Sequence, residues 1–175
     1  EDGNGNKIPA PEHPALESGV NQFIAVSEEV QKKLLSDYNI DSMVIRNFVD
    51  LEFLKPSREI NQNIPKQILF NSNYHDKDSE ETLILKAVAK HYGAKLAAMG
   101  VNFSPTFHIN TVINDSDIVV GMGRSVLEGV AAGRLGIVHG RWGTGGIVNE
   151  NNIDDLKYYN FSGRNSNGKF FTVDQ

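Results

Sequence analysis

No cysteine occurs in the sequence, which excludes disulfides and thiolate metal sites and fits a reducing compartment. Positive charge is also short: 17 Lys and Arg stand against 22 Asp and Glu, for a net charge of −5. A polyanion-binding domain shows a basic surplus or a basic stripe, and neither is visible, so nucleic acid is not an expected partner. No apolar run approaches the ~20 residues that cross a bilayer, and the polar opening carries no signal-peptide pattern. The expected location is cytoplasmic. No His, Asp and Glu spacing resembles a metal site, and no serine sits in a nucleophile elbow, so neither a metal nor another cofactor is expected.

What is present is ordinary globular material. Hydrophobic residues make up 39% and charged residues 22% of 175 residues, too apolar for a disordered chain. A domain of this length buries roughly 70% of the surface exposed by its unfolded chain and needs no staples.

The stretch Glu1–Val20 is rich in Gly, Asn and Pro without apolar period and reads as a loop or tail. Gln22–Ser27 (QFIAVS) is a short apolar run, and Ser27 before Glu28 and Glu29 is a helix start, with Val30, Leu34 and Leu35 on one side. Met43–Val49 (MVIRNFV) reads as a strand, and the polar, proline-bounded Lys55–Pro65 as a hinge. Beyond Lys66 the pattern is regular. Candidate strands are Gln67–Phe70, Lys95–Val101, Ile118–Val120 and Leu135–Val138. Between them lie a helix opened by an Asp78/Glu81 capping box and stopped at Gly93, and a short helix after Ser104-Pro105 carrying Phe107 and Val112. A helix over Ser125–Ala132 and a last one around Ile153–Tyr159 follow. Strands that are continuous apolar runs alternating with helices predict an α/β/α lobe with a parallel sheet.

Ligands of such sheets bind at the carboxyl ends of the strands, which selects the loops Asn71–Lys77, Asn102–Pro105, Gly121–Ser125 and His139–Gly146. In Gly121-Met122-Gly123-Arg124-Ser125, two glycines allow close backbone approach, the helix start offers N–H groups to phosphate, and Arg124 adds a fork for two oxygens. The same residues also fit a tight turn with a solvated arginine. A dinucleotide fingerprint would need a third glycine where Val126 stands, so the dehydrogenase pattern is incomplete. Glu128 has two readings: the spacing from Ser125 favours a capping box, while a carboxylate one turn into a nucleotide-facing helix could accept from two ribose hydroxyls. The glycines of His139–Gly146, with Gly143, Gly145 and Gly146 among them, could wrap a phosphate or sugar, or form a surface loop with Trp142 packed down. His139 itself fits a satisfied strand-end residue better than a catalyst.

Several segments resemble one family in order. Phe23–Val30 is similar to the "VAVSE" strand–helix junction of family 4 glycosyltransferases. Val44–Asp50, with Phe53 and Lys55-Pro56, resembles the "VIPNGVD…F.P" crossing between that family's two domains. Leu127–Gly133 resembles its "LEAMACG.PV" helix, and Gly145–Val148 its "GG…IV" element. The resemblance spans roughly Gln22–Val148 and implies a Rossmann-like GT-B lobe, with residues 1–50 ending a first lobe, 51–65 linking, and 66–175 forming the donor-binding lobe. The chain then reads as a fragment, expected to be inactive alone.

The implied activity is transfer of a glycosyl unit, with retention of configuration, from a nucleoside-diphosphate sugar to a glycan, lipid or small-molecule acceptor. The first lobe could also make a peripheral membrane contact. By resemblance Glu128 binds the donor ribose, a role compatible with capping. Asn71, Ser72, Gly121, Gly123, Arg124, Ser125, Gly143, Gly145 and Gly146 are the remaining candidate donor contacts. Arg124, helped by Lys77, is the candidate for neutralising the departing diphosphate. Two positions depart from the family: Val120 replaces an earlier glutamate, and Asn71–Tyr74, with only Lys77 nearby, replaces a diphosphate-binding "GR…K". A nucleotide-sugar epimerase of the same architecture and a non-catalytic binding or scaffold module are the alternatives.

Overall fold

Helix start signals, apolar strands and glycine stops translate into local structure in a computed structural model, which describes residues 20–59 and 65–170. The loop expected over Glu1–Val20 lies outside the described residues up to residue 19, as do residues 60–64 of the expected hinge. The chain falls into two compact units divided between Arg46 and Asn47.

In the first unit, β1 (Ile24–Ala25) pairs in parallel with β2 (Met43–Val44) around helix α1 (Glu28–Tyr38). Ser27 caps α1 as its sequence predicts: its extended backbone lets the hydroxyl accept the Val30 N–H at 3.4 Å. Glu28 and Glu29 occupy the first turn, where the helix dipole favours them, and Asn39 ends the helix in the left-handed region at φ 53°. Glu28 also pairs with Arg46. The strand expected over Met43–Val49 is shorter than its apolar run, because only Met43 and Val44 have a partner strand.

The second unit is built on a five-stranded sheet: β3 (Gln67–Asn71), β4 (Lys95–Met99), β5 (Ile118–Gly121), β6 (Leu135–Gly140) and β7 (Gly143–Ile147), in the order β4-β3-β5-β6-β7. The first four are mutually parallel and β7 is antiparallel to β6. Helix α2 (Glu80–His91) covers one face, where Leu85, Val88 and Ala89 pack with Ile68, Phe70, Val120 and Ile137. Helices α3 (Ile109–Asp115) and α4 (Arg124–Ala131) cover the other, where Ile113 and Ala132 pack with Leu69 and Val119. Helix α5 (Ile153–Tyr158) extends that layer through Leu156, packed with Val126 and Val138. The result is a Rossmann-like three-layer α/β/α arrangement with a mostly parallel sheet.

Three local expectations are corrected. The helix after Asp78 is entered from Ser79 and not through an Asp78 capping box, because Asp76 folds the preceding turn by accepting the N–H groups of Asp78 and Ser79, both at 2.9 Å. Phe107 lies before α3 and is wholly exposed. The glycine-rich loop His139–Gly146 is a hairpin, β6 turning into β7 through Arg141 and Trp142 alone. Leu54, in the expected linker, is a core residue of the second unit, and Ser57 N–H donates to Asn114 Oδ1 at 2.9 Å. Among the described residues no helix is long and apolar enough to cross a membrane.

Candidate functional site

Strand order reverses between β3 and β5: the chain runs from β3 outward to β4, then returns to the other side of β3. At such a reversal the helices leave on opposite faces and a crevice opens at the carboxyl ends of the two strands. Asn71 and Gly121 terminate these strands and are register partners. The approach is close, since a Cβ on Gly121 would stand 2.7 Å from the Asn71 carbonyl oxygen.

Gly123 turns the chain from β5 into α4 at φ 58°, ψ −126°, a conformation for which a side chain is a hindrance. Its N–H donates to the Phe161 carbonyl at 2.8 Å. Helix α4 therefore begins at Arg124, one residue ahead of the expected start, and has no side-chain cap. That shift corrects the capping-box reading of Glu128: Ser125 lies inside the helix instead of at its cap, and the Glu128 carboxylate bonds Arg124. Arg124 Nη2 donates to Glu128 Oε1 at 3.0 Å, with the arginine side chain 65% exposed and the glutamate 13%. A guanidinium at a helix start is opposed by the dipole, but together with the uncapped first turn it concentrates positive potential where an anion could sit. One turn on, Gly129 lets α4 approach β5, since a Cβ there would fall 2.7 Å from Val119 Cβ.

The loop after β3 is polar and internally hydrogen-bonded. Ser72 is buried; its hydroxyl lies 2.7 Å from His75 Nδ1 and accepts the Tyr74 N–H at 3.2 Å. The other ring nitrogen of His75, Nε2, lies 3.5 Å from Glu81 Oε1, so the ring bridges Ser72 and Glu81. His139, buried in β6, belongs to the same electrostatic neighbourhood. Burial holds its pKa below the ordinary histidine value, against the pull of the Glu81 carboxylate and with a smaller push from His75. The hydroxyl of Ser72 is thus engaged within the chain.

The other candidates are placed unevenly. Lys77 is exposed in the turn before α2, and its carbonyl accepts from Lys86 Nζ at 2.7 Å. Gly143, Gly145 and Gly146 lie in a strand and not in a wrapping loop. For two of them packing explains the glycine: a Cβ on Gly143 would come 2.1 Å from Ser166 Oγ, and one on Gly145 2.5 Å from Leu156 Cδ2. The sheet reversal thus brings Asn71, Gly121, Gly123, Arg124, Ser125 and Glu128 to neighbouring strand ends, while the three hairpin glycines belong to β7 at the sheet edge. Sequence reasoning missed His75 and Glu81, whose pairing depends on the turn between them, and Arg141, whose partner Tyr74 follows a different strand. Among the described residues no group of three potential metal ligands occurs. No protein-family model and no curated protein matches the chain.

Proposed function

We propose that the second unit binds the nucleoside-diphosphate moiety of a sugar donor and that the chain is the donor-binding part of a GT-B glycosyltransferase of the family 4 type. The observation that carries this reading is the Arg124–Glu128 pair in the first turns of an uncapped helix at the sheet reversal. Glu128 accepts the ribose hydroxyls, and Arg124, with the α4 N–H groups, takes the diphosphate and stabilises it as the sugar bond breaks. The ordered resemblance from Phe23 to Val148 supports transfer to an acceptor over other uses of a nucleotide. Lys77, exposed ahead of α2, is a second candidate cation for the leaving group. No metal or other cofactor enters this proposal, and a cytoplasmic location goes with it.

One observation favours a second reading. Val120, at the position of the family's earlier glutamate, is buried against α2 with Ile68 and Phe70. A lobe without that carboxylate could bind the nucleotide sugar without transferring from it, as a binding module.

Calorimetry with UDP, GDP and their sugars tests both readings. Saturable heat with one nucleotide series, reduced in R124A and E128Q, supports the site. Because the chain alone is expected to be inactive, release of free sugar or transfer to an added acceptor by a two-lobed protein that carries this unit then separates the enzyme from the module, and no heat with any of these ligands refutes both.

A further inference from the structure

A second cationic feature lies at the same end of the sheet. Tyr74 follows β3 and Trp142 follows β6, strands separated by β5, yet their ring centroids are 6.2 Å apart at an interplanar angle of 58°. The contact therefore passes over the end of β5, where Gly121 and Gly123 turn the chain. Arg141 lies against both rings, its guanidinium carbon 5.9 Å from the Tyr74 centroid and 5.6 Å from that of Trp142. Arg164 stands 5.2 Å from the same indole.

This cluster is held in place before any ligand arrives. Asn73 Oδ1 accepts the Val101 N–H at 3.0 Å and the His75 carbonyl accepts from Asn102 Nδ2 at 3.3 Å, which pins the loop on both sides of Tyr74. The two-residue hairpin turn fixes Trp142. Arg141 is exposed and, among the described residues, forms no hydrogen bond or ion pair, although acidic residues outnumber basic ones in the chain. A guanidinium held by a cation–π contact and bonded to no acceptor keeps its N–H groups for a ligand, in a fork that matches two oxygens of an oxyanion.

We propose that Arg141, lying over the rings of Tyr74 and Trp142 beside the β3/β5 crevice, is a receptor for the phosphate of a phosphomonoester, separate from Arg124. The class follows from charge: a phosphomonoester carries nearly two negative charges at neutral pH, and Arg141 and Arg164 bring two positive ones to one indole. The tilt of the two rings leaves no parallel slot for a flat base, which argues for a phosphorylated sugar over a stacked nucleobase. The site needs no nucleotide at Arg124 and stands if that reading fails.

Trp142 is the sole tryptophan, so its fluorescence reports on the site directly. The 175-residue chain is titrated with glucose 6-phosphate, inorganic phosphate, glucuronate and glucose, by fluorescence and in parallel by calorimetry. Both phosphates should bind saturably, and glucose should be silent. Arg141→Ala should weaken the phosphates by about tenfold or more, whereas Lys90→Ala, an exposed cation at the far end of α2, should leave them within about twofold. Arg141→Gln, which keeps the length and polarity of the side chain, serves if the alanine variant does not fold. No heat with either phosphate, or equal binding by the parent and the Arg141 variants, overturns the proposal. Glucuronate binding as tightly as glucose 6-phosphate overturns the phosphate assignment in favour of a carboxylate. Loss of phosphate binding in Arg124→Ala alone moves the anion to α4.

Discussion

Arg124 and Glu128 bind each other at 3.0 Å across one turn of α4, and both are candidate ligand contacts. The pair has little to do with stability. An i,i+4 pair whose cation is exposed contributes about 0.2–0.5 kcal/mol, less when the cation precedes the carboxylate, and a cation at a helix start costs a similar amount. Arg124→Ala should therefore shift the melting temperature by no more than a degree or two, in either direction. Nucleoside diphosphate binding should fall by about tenfold or more, while binding of the bare nucleoside should hold. A large loss of stability without loss of binding would return Arg124 to a structural role.

Glu128→Gln separates the remaining alternatives. With the capping box excluded by the helix start at Arg124, the substitution removes only a charge and the pair. Stability should change by a few tenths of a kcal/mol, and nucleoside binding should weaken by about 1–3 kcal/mol if the carboxylate accepts from the ribose. A variant that binds every nucleoside like the parent would remove Glu128 from the site.

Helix propensity and packing oppose each other at Gly129. Alanine is worth about 1 kcal/mol over glycine within a helix, so the substitution should stabilise an isolated α4. In the folded chain the added Cβ would stand 2.7 Å from Val119 Cβ and push the helix off β5. Overpacking of this kind costs about 1–3 kcal/mol, so Gly129→Ala should lower the urea midpoint. A raised midpoint would mean that α4 shifts without penalty.

The alternation of strands and helices is legible in the sequence, whereas Gly129 and the hairpin are not. Continuous apolar runs such as Ile68–Phe70 and Val119–Val120 are buried on both faces, and burial of that kind needs a helix on each side. A dinucleotide fingerprint would carry its third glycine where Val126 stands; here close helix–strand contact falls to Gly129. Gly143–Ile147 concealed a strand because glycine has weak strand propensity, and here tertiary packing against Ser166, Leu156 and Val138 requires it. Cross-strand groupings such as Tyr74 with Arg141, or His75 with His139, have no local signature, since the strand order that joins them is itself non-local.

At the opposite end of the sheet, Asp117 is a buried charge with a full set of partners. Its Oδ1 lies 2.9 Å from Arg58 Nη2, and its Oδ2 accepts the N–H groups of Lys66 at 2.7 Å and Gln67 at 3.3 Å. Arg134 lies in the same network; burial and the neighbouring Arg58 lower its pKa, and Asp117 opposes them. Asp117→Ala would leave two N–H groups and the Arg58 guanidinium without this acceptor, and Arg134 without a compensating charge nearby. Breaking such a buried pair costs about 3–5 kcal/mol, and the lower end applies because Arg58 is partly exposed. The urea midpoint should drop accordingly, with Asp117→Asn intermediate. A loss below about 1 kcal/mol would show that water replaces the carboxylate at little cost.

His139 gives the second unit a pH dependence of defined sign. Burial holds its pKa below the ordinary value of 6.5, so the neutral ring is favoured in the folded chain. Above 6.5 the ring is neutral in both states and contributes no slope. As pH falls below 6.5 the unfolded chain takes up a proton that the folded chain resists, so stability falls, and it levels off only below the depressed folded value. For one group the slope is at most about 1.4 kcal/mol per pH unit. Denaturant midpoints measured from pH 7.5 down to pH 5 should therefore decline in the parent, and the decline should be shallower in His139→Gln, which has nothing to titrate. Taking the difference between the two chains cancels the other four of the five histidines. Parallel curves for parent and variant would mean that His139 is charged as readily in the folded chain as in the unfolded one, and a parent that gains stability between pH 6.5 and 5.5 relative to the variant would reverse the sign of the argument.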